Sequence, residues 1–131
     1  MIAKKPCIAV INDNATIIDL YCEFLEEEGY ITVQSFSDSD GYQVICNSLP
    51  DLVLLDLQME HRDSGLRVLD LTRLNPTTTH IPVIMISADG AFLRSKETHL
   101  AQHNCAILEK PFQLHELLAK VYQMIGPAAA N

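Results

Sequence analysis

The stretch Pro50-Asp-Leu-Val-Leu-Leu-Asp-Leu-Gln-Met59 decides the fold of this chain. Its run Leu52–Leu55 is continuously apolar, which is typical of a parallel strand that is covered on both faces of its sheet. Asp56 follows this run with no turn residue before it. The stretch therefore predicts a buried strand that delivers a carboxylate to its carboxyl end.

Four similar apolar runs lie on either side, and longer amphipathic segments separate them. The predicted strands are Cys7–Ile11, Ile31–Phe36, Leu52–Leu55, Val83–Ile86 and Cys105–Leu108. The predicted helices are Ala15–Glu28, Ser37–Cys46, Leu66–Leu74, Ala91–His103 and Gln113–Ile125. The fourth helix is polar-rich, so we expect it to lie loosely on the surface. Five βα units predict an α/β fold, a five-stranded parallel sheet with helices on both faces. We expect one domain over residues 1–126 and a short frayed tail over 127–131.

Polar residues stand where the apolar runs end. Asn12-Asp13 follow the first run, Asp56 the third, Ser87 the fourth and Lys110 comes just after the fifth. Each alone is most simply a turn or capping residue. Carboxyl ends of parallel strands share one rim, however, and open α/β sheets bind ligands there. In the strand order 2-1-3-4-5, the strands before Asp13 and Asp56 are neighbours.

This combination of groups suits phosphoryl transfer. Carboxylates are ligands for Mg²⁺, which takes only one or two of them and keeps several waters. A carboxylate oxygen can also attack phosphorus, as in aspartyl-phosphate enzymes. A lysine and a hydroxyl can then neutralise and hold the phosphoryl oxygens.

Composition excludes several other classes of protein. The 131 residues carry a net charge of −8, which argues against direct DNA binding, because phosphate contacts need clustered Lys and Arg. No apolar run is long enough to cross a bilayer, and charges at Met1–Lys5 argue against a secretory signal, so we expect no membrane partner. Four scattered cysteines predict free thiols and a cytoplasmic location.

Three segments carry a resemblance to a known family. They are Pro50–Met59, quoted above, His80-Ile-Pro-Val-Ile-Met-Ile-Ser-Ala88 and Leu108-Glu-Lys-Pro-Phe112. In this order and spacing, the chain resembles the CheY-like receiver domains of bacterial two-component response regulators, from Ile8 to Ile125. The resemblance implies a flavodoxin-like sheet of order 2-1-3-4-5.

The resemblance also implies a role for each residue of the rim. Asp56 matches the phosphoacceptor, and Ser87 and Lys110 match the switch hydroxyl and the phosphate-binding lysine. Lys110-Pro111 matches a cis peptide bond. The implied Mg²⁺ ligands are Asp13, Asp56 and the backbone carbonyl of Gln58. Gln58 and Asp89 occupy positions that tune dephosphorylation.

The implied function is that of a single-domain response regulator, a phosphoprotein of a phosphorelay. Its phosphoryl group would come from a phosphohistidine on a sensor histidine kinase or a histidine phosphotransfer protein. Its output would be a switched surface that binds a downstream protein not named by the sequence, and a homodimer is compatible with this role. Apart from catalysing its own phosphorylation and hydrolysis, it would not be an enzyme.

The chain departs from the family pattern at four positions. Asn12 replaces a second acid that reaches Mg²⁺ through water, and we expect the same indirect contact from Asn12. Glu60 replaces a proline, in a loop (Gln58–Gly65) that is one residue longer than usual. Ile107 replaces the aromatic residue that moves with the switch hydroxyl, and Ser87 stands for threonine.

Two other functions stay open on the sequence. A receiver-like module that binds proteins without being phosphorylated would explain Asn12 and Ile107. A phosphatase with an aspartate nucleophile is disfavoured, because Gln58 stands where such enzymes carry a second acid, and the chain has no room for a cap insertion.

Overall fold

The computed structural model describes residues 5–128, and these form one sheet with helices on both faces. The strands are β1 (Cys7–Ile11), β2 (Ile31–Ser35), β3 (Leu52–Asp56), β4 (Val83–Ser87) and β5 (Cys105–Glu109). The helices are α1 (Ala15–Glu27), α2 (Asp38–Ser48), α3 (Ser64–Leu74), α4 (Gly90–Gln102) and α5 (Leu114–Ile125). Strands and helices alternate along the chain, as the sequence predicted.

All neighbouring strands are parallel, in the order β2-β1-β3-β4-β5. The predicted flavodoxin-like order is therefore confirmed. The chain continues from β1 outward to β2 and then returns to β3 on the other side, so the order reverses between β1 and β3. Ligands bind at such a reversal, outside the carboxyl ends of the strands.

Two apolar layers sandwich the sheet. Every residue of β3 and β4 is buried, which explains why their sequences are continuous apolar runs rather than alternating ones. One layer holds Ile18 and Leu25 of α1 together with Leu117 of α5. The other holds Ile45 of α2 and Val68 of α3.

The helix boundaries follow local signals. Asn14 caps α1, since its side chain accepts hydrogen bonds from the backbone N–H groups of Thr16 (3.0 Å) and Ile17 (3.2 Å). The clear apolar stripe of α5 packs through Leu117 and Val121, and α5 begins with a capping box between Gln113 and Glu116.

Two expectations from the sequence need correction. Helix α4 does not lie loosely on the surface, because Leu93 and Leu100 are 0% and 1% exposed and anchor it to the core. These two buried leucines, two turns apart in a helix that is otherwise mostly polar, hold it against the core. Helix α3 begins at Ser64 rather than Leu66, because Ser64 and Gly65 are both buried in its first turn.

Near the carboxyl end, Ala128 is half-buried and packs against the apolar layer of α1 and α5, and the frayed tail over residues 127–131 stays a prediction. The rest of the tail, from residue 129, and the first four residues lie outside the described range. No helix within residues 5–128 combines the length and the apolar character that crossing a bilayer requires.

Candidate functional site

Asp56 lies at the centre of the rim formed by the carboxyl ends of β1, β3, β4 and β5. It is the last residue of β3 and is only 7% exposed. The Nζ atom of Lys110 lies 3.3 Å from its Oδ1 atom. The structure thus joins two residues that are 54 positions apart in the sequence.

Burial raises the pKa of the Asp56 carboxyl above its ordinary value. The positive charge of Lys110 opposes this shift, while the negative charge of Asp13 adds to it. The carboxylate is therefore incompletely neutralised, and a further cation at this position would stabilise it. The same carboxylate contributes to the raised pKa of Tyr21, about 12, for which burial of the phenol is the larger cause.

Asn12 and Asp13 follow β1, whose residue Ile11 pairs with Leu55 just before Asp56. Asp13 is exposed, whereas Asn12 is 3% exposed. The Oδ1 atom of Asn12 accepts a hydrogen bond from the backbone N–H of Asn14 at 2.9 Å. Asn12 therefore shapes the loop into α1, and an indirect contact from it to a metal stays a prediction.

Ser87 and Lys110 are held together on the other side of Asp56. The backbone N–H of Lys110 donates to the carbonyl of Ser87 at 2.9 Å. Ser87 is 2% exposed, and its hydroxyl oxygen accepts from the backbone N–H of Asp89 at 2.9 Å. The Lys110-Pro111 bond is cis, as the resemblance implied. Ser87 and Lys110 are thus joined through their backbones at the rim, and the Ser87 hydroxyl is linked to the loop before α4.

Asp89 and Gln58 lie at the border of the site, and neither side chain has a hydrogen bond to Asp56 within residues 5–128. Asp89 caps α4, because its Oδ1 atom accepts from the backbone N–H of Phe92 at 3.2 Å. Gln58 is exposed, two residues beyond Asp56. Both side chains line a cavity of about 360 Å³ beside the acceptor, together with Leu57 and Phe92.

Ile107 occupies the position where the resemblance implies an aromatic side chain. It is 9% exposed and pairs in register with Met85 of β4, within the apolar layer of α2 and α3. A buried aliphatic side chain with these neighbours has no ring to exchange between an inward and an outward position.

Sequence reasoning missed Gly65, which packs directly against the backbone of Asp56 and Leu57. Its backbone N–H donates to the carbonyl of Leu57 at 2.7 Å. A Cβ at this position would lie 2.7 Å from the carbonyl oxygen of Asp56, 2.8 Å from Cα of Leu57 and 2.8 Å from Sδ of Met85. The small Ser64-Gly65 pair before an apolar stripe was the signal that could have found it.

Sequence reasoning also missed Arg73 of α3. Its guanidinium donates to the carbonyls of His103 and Ile81, both at 2.7 Å, and so ties α3 to the chain segments that precede β4 and β5. No sequence motif marks these contacts, which span 30 and 8 positions and form only once the helices have packed.

The donor set of the rim fits Mg²⁺. Asp13 and Asp56 are two carboxylates on neighbouring strand ends, and the charge of Asp13 is felt at Asp56. Within residues 5–128 no three or more His, Cys, Asp or Glu side chains cluster as a metal site. Two carboxylates and oxygen donors from backbone or water are what Mg²⁺ takes, while transition metals favour His and Cys.

Comparisons with known proteins agree with this geometry. A model of the response regulator receiver domain matches residues 8–122. The chain is 32% identical over 120 residues to the DNA-binding dual master transcriptional regulator RpaA of Synechocystis, covering 92% of this chain and 49% of RpaA. It therefore spans about half the length of that relative. It is 26% identical to the polar-differentiation response regulator DivK of Brucella ovis, covering 92% of this chain and 97% of DivK.

A solved structure shares the fold. The receiver domain of NtrX from Brucella abortus superposes with a TM-score of 0.76 at 28% identity, covering 90% of this chain and 97% of that domain. The family match, the strand order and the acidic rim around Asp56 lead to one conclusion, which is that this chain belongs to the response regulator receiver domain family of two-component signalling.

Proposed function

We propose that this receiver accepts a phosphoryl group on Asp56 from a phosphohistidine and, when phosphorylated, switches a protein-binding surface. The observation that carries this proposal is the buried Asp56 carboxylate, 3.3 Å from Lys110 Nζ and within the influence of Asp13. Burial keeps competing water away from Asp56. The positive charge of Lys110 is complementary to a bound phosphoryl group, and the negative charge of Asp13 is complementary to a metal ion.

In the proposed reaction, an oxygen of Asp56 attacks the phosphorus atom. A P–O bond forms as the P–N bond to the donor histidine breaks, and imidazole leaves. Lys110 neutralises charge on a phosphoryl oxygen, and the hydroxyl of Ser87 donates a hydrogen bond to another. Mg²⁺, when bound by Asp13, Asp56 and the carbonyl of Gln58, supplies the remaining positive charge.

The hydrogen bond that the Ser87 hydroxyl makes in the structure supports a switch. The hydroxyl accepts from the backbone N–H of Asp89, in the loop that leads into α4. Reorienting this hydroxyl toward a phosphoryl group would change its bond to that loop. Because Ile107 has no ring to move, we propose that the loop before α4 is the first segment to respond.

The proposed partners follow from this chemistry. A sensor histidine kinase or a histidine phosphotransfer protein donates the phosphoryl group, and a downstream protein binds the switched surface. We propose a cytoplasmic location and no direct DNA binding by this chain, consistent with its net charge of −8. Hydrolysis would be limited to its own acyl phosphate, at a rate tuned by Gln58 and Asp89.

Mass spectrometry tests the proposal. We expect incubation with phosphoramidate and Mg²⁺ to add one phosphoryl group to the wild type and none to Asp56→Asn. Omitting Mg²⁺ should slow the addition strongly. No adduct on the wild type, or an unchanged adduct in Asp56→Asn, would refute phosphorylation at this residue.

A second candidate, a protein-binding module that is never phosphorylated, is favoured by one observation. Asn12 stands where the family pattern has an acid, so the rim has one negative charge fewer than is usual. Its side-chain oxygen also accepts a hydrogen bond from the backbone N–H of Asn14. This candidate would be supported if the wild type acquired no adduct and gave no Mg²⁺-dependent amide shifts.

A further inference from the structure

We propose that Glu60 is a positioning residue for the phosphoacceptor site, because it fastens the loop between β3 and α3 to the first turn of α2. This inference rests on the proposed function, since the loop carries Gln58, whose carbonyl is a proposed Mg²⁺ ligand. The inference gives a structural role to Glu60, which stands where the family resemblance implies a proline.

The contact is a carboxylate on a helix N-terminus. Both oxygens of Glu60 accept from the backbone N–H of Asp38, at 3.0 and 3.3 Å. Asp38 is the first residue of α2, so its N–H has no partner within the helix. A negative charge is also favourable at this end of a helix.

A second contact returns from α2 to α3. The hydroxyl of Ser64 donates to Oδ2 of Asp38 at 2.8 Å and accepts from the backbone N–H of His61 at 2.9 Å. Ser64 is fully buried, so this hydroxyl is shielded from water. Glu60, Asp38, His61 and Ser64 therefore form one network, which we call the loop clamp.

The loop clamp encloses the segment that bears on the acceptor. The loop between β3 and α3 begins just after Leu57. The carbonyl of Leu57 accepts a hydrogen bond from the N–H of Gly65 at 2.7 Å, and the N–H of Leu57 donates to the carbonyl of Ile86 in β4 at 2.8 Å. The clamp holds the loop at Glu60 and Ser64, and Gln58 lies between this hold and the sheet. A proline stiffens a loop by fixing its own φ angle. Here, hydrogen bonds to a neighbouring helix restrict the loop instead.

Two substitutions separate the parts of this role. Glu60→Ala removes both hydrogen bonds to Asp38. Glu60→Gln keeps one oxygen that can accept and removes the charge. Glu23→Ala is the matched control, since Glu23 is an exposed residue of α1 whose side chain makes no hydrogen bond or ion pair within residues 5–128.

Two NMR measurements on the full chain test the inference. The first is the exchange rate of the Asp38 amide proton without Mg²⁺, and the second is the Mg²⁺ dissociation constant from amide shifts. We expect Glu60→Ala to accelerate the exchange and to weaken Mg²⁺ binding by about two- to tenfold, below the roughly 10–100-fold effect of losing a group that hydrogen-bonds a metal ligand, because Glu60 acts through the loop rather than on a ligand. Glu60→Gln should restore most of both, and Glu23→Ala should match the wild type.

The outcomes separate the two proposals. Unchanged exchange in Glu60→Ala would show that the clamp does not exist in solution. Faster exchange with unchanged Mg²⁺ affinity would leave Glu60 a structural residue only and overturn the positioning role. If the wild type neither binds Mg²⁺ nor takes up a phosphoryl group, the proposed function is refuted and the positioning role falls with it, while the exchange rates still decide whether the clamp forms.

Discussion

Gly65→Ala tests whether β3, the strand that carries Asp56, needs a residue without a side chain packed against it. The added Cβ would lie 2.7 Å from the carbonyl oxygen of Asp56 and 2.8 Å from both Cα of Leu57 and Sδ of Met85. Ordinary carbon contacts begin at about 3.5 Å, so α3 and β3 must separate by roughly 0.7 Å. Two of the three obstructing atoms belong to the backbone and cannot rotate away.

The magnitude follows from two opposing effects. Overpacking a well-packed region costs about 1–3 kcal/mol. Alanine in a helix recovers about 0.5–1 kcal/mol relative to glycine. We expect a net loss of about 1–2 kcal/mol in the free energy of unfolding, or roughly 4–8 °C in Tm for a domain of this size. Mg²⁺ affinity should fall as well, since the carbonyl of Asp56 moves with its carboxylate.

Gly90→Ala is the matched control, in the first turn of α4. Its Cβ would meet Oε1 of Glu109 and Nη1 of Arg94, the ends of two side chains that form an ion pair at 2.6 Å. Both side chains are largely exposed and can rotate, and an exposed ion pair contributes only about 0–1 kcal/mol, so we expect a smaller loss of stability than in Gly65→Ala. Urea unfolding followed by far-UV circular dichroism measures both variants. Equal or greater stability of Gly65→Ala than the wild type would refute the packing argument.

Three further predictions concern stability and pH. Burial raises the pKa of Asp56, so the contribution of this carboxyl to stability is fully present below the ordinary Asp range and is lost as pH rises through the raised value. Asp56→Asn should therefore raise Tm at neutral pH in EDTA, and a lower Tm would mean that the favourable pair with Lys110 outweighs the cost of burial. Burial raises the pKa of Tyr30 to about 12, and its hydroxyl donates to Gly126 at 2.7 Å. Tyr30→Phe should therefore lower the free energy of unfolding in urea, and this loss should become smaller as pH rises from about 8 to about 11, because the unfolded phenol ionises near 10. A loss that stays constant over this pH range would contradict the argument. Ser87→Ala leaves a backbone N–H before α4 without its 2.9 Å partner and should cost about 0.5–1.5 kcal/mol by thermal unfolding, whereas an unchanged Tm would show that water replaces the bond.

The sequence alone was sufficient for the strands and for the rim of the site. Strands buried on both faces must be continuously apolar, so runs such as Leu52–Leu55 and Val83–Ile86 were recognisable without tertiary information. The carboxyl ends of parallel strands meet at one edge of a sheet, so the sequence predicted that Asp56 and Lys110 lie close together, as they do in the structure. These features depend on local patterns and on a general rule of sheet topology.

Helix packing was less predictable. Ala91–His103 is mostly polar, and its two buried leucines are too few to give a clear amphipathic stripe. Whether such a helix is held firmly depends on the surface it meets, here β5 and the apolar layer of α2 and α3.

Only the tertiary structure decided how the acceptor is supported. The bond from Asp38 to Glu60 spans 22 positions and that from Ser64 to Asp38 spans 26, and neither residue type marks its partner in the sequence. The need for Gly65 likewise arises from the approach of α3 to β3, a distance that no local pattern encodes. The physical reason is that strand propensity and strand-end chemistry are local properties of the chain, whereas hydrogen bonds and close contacts between elements exist only once the helices have packed.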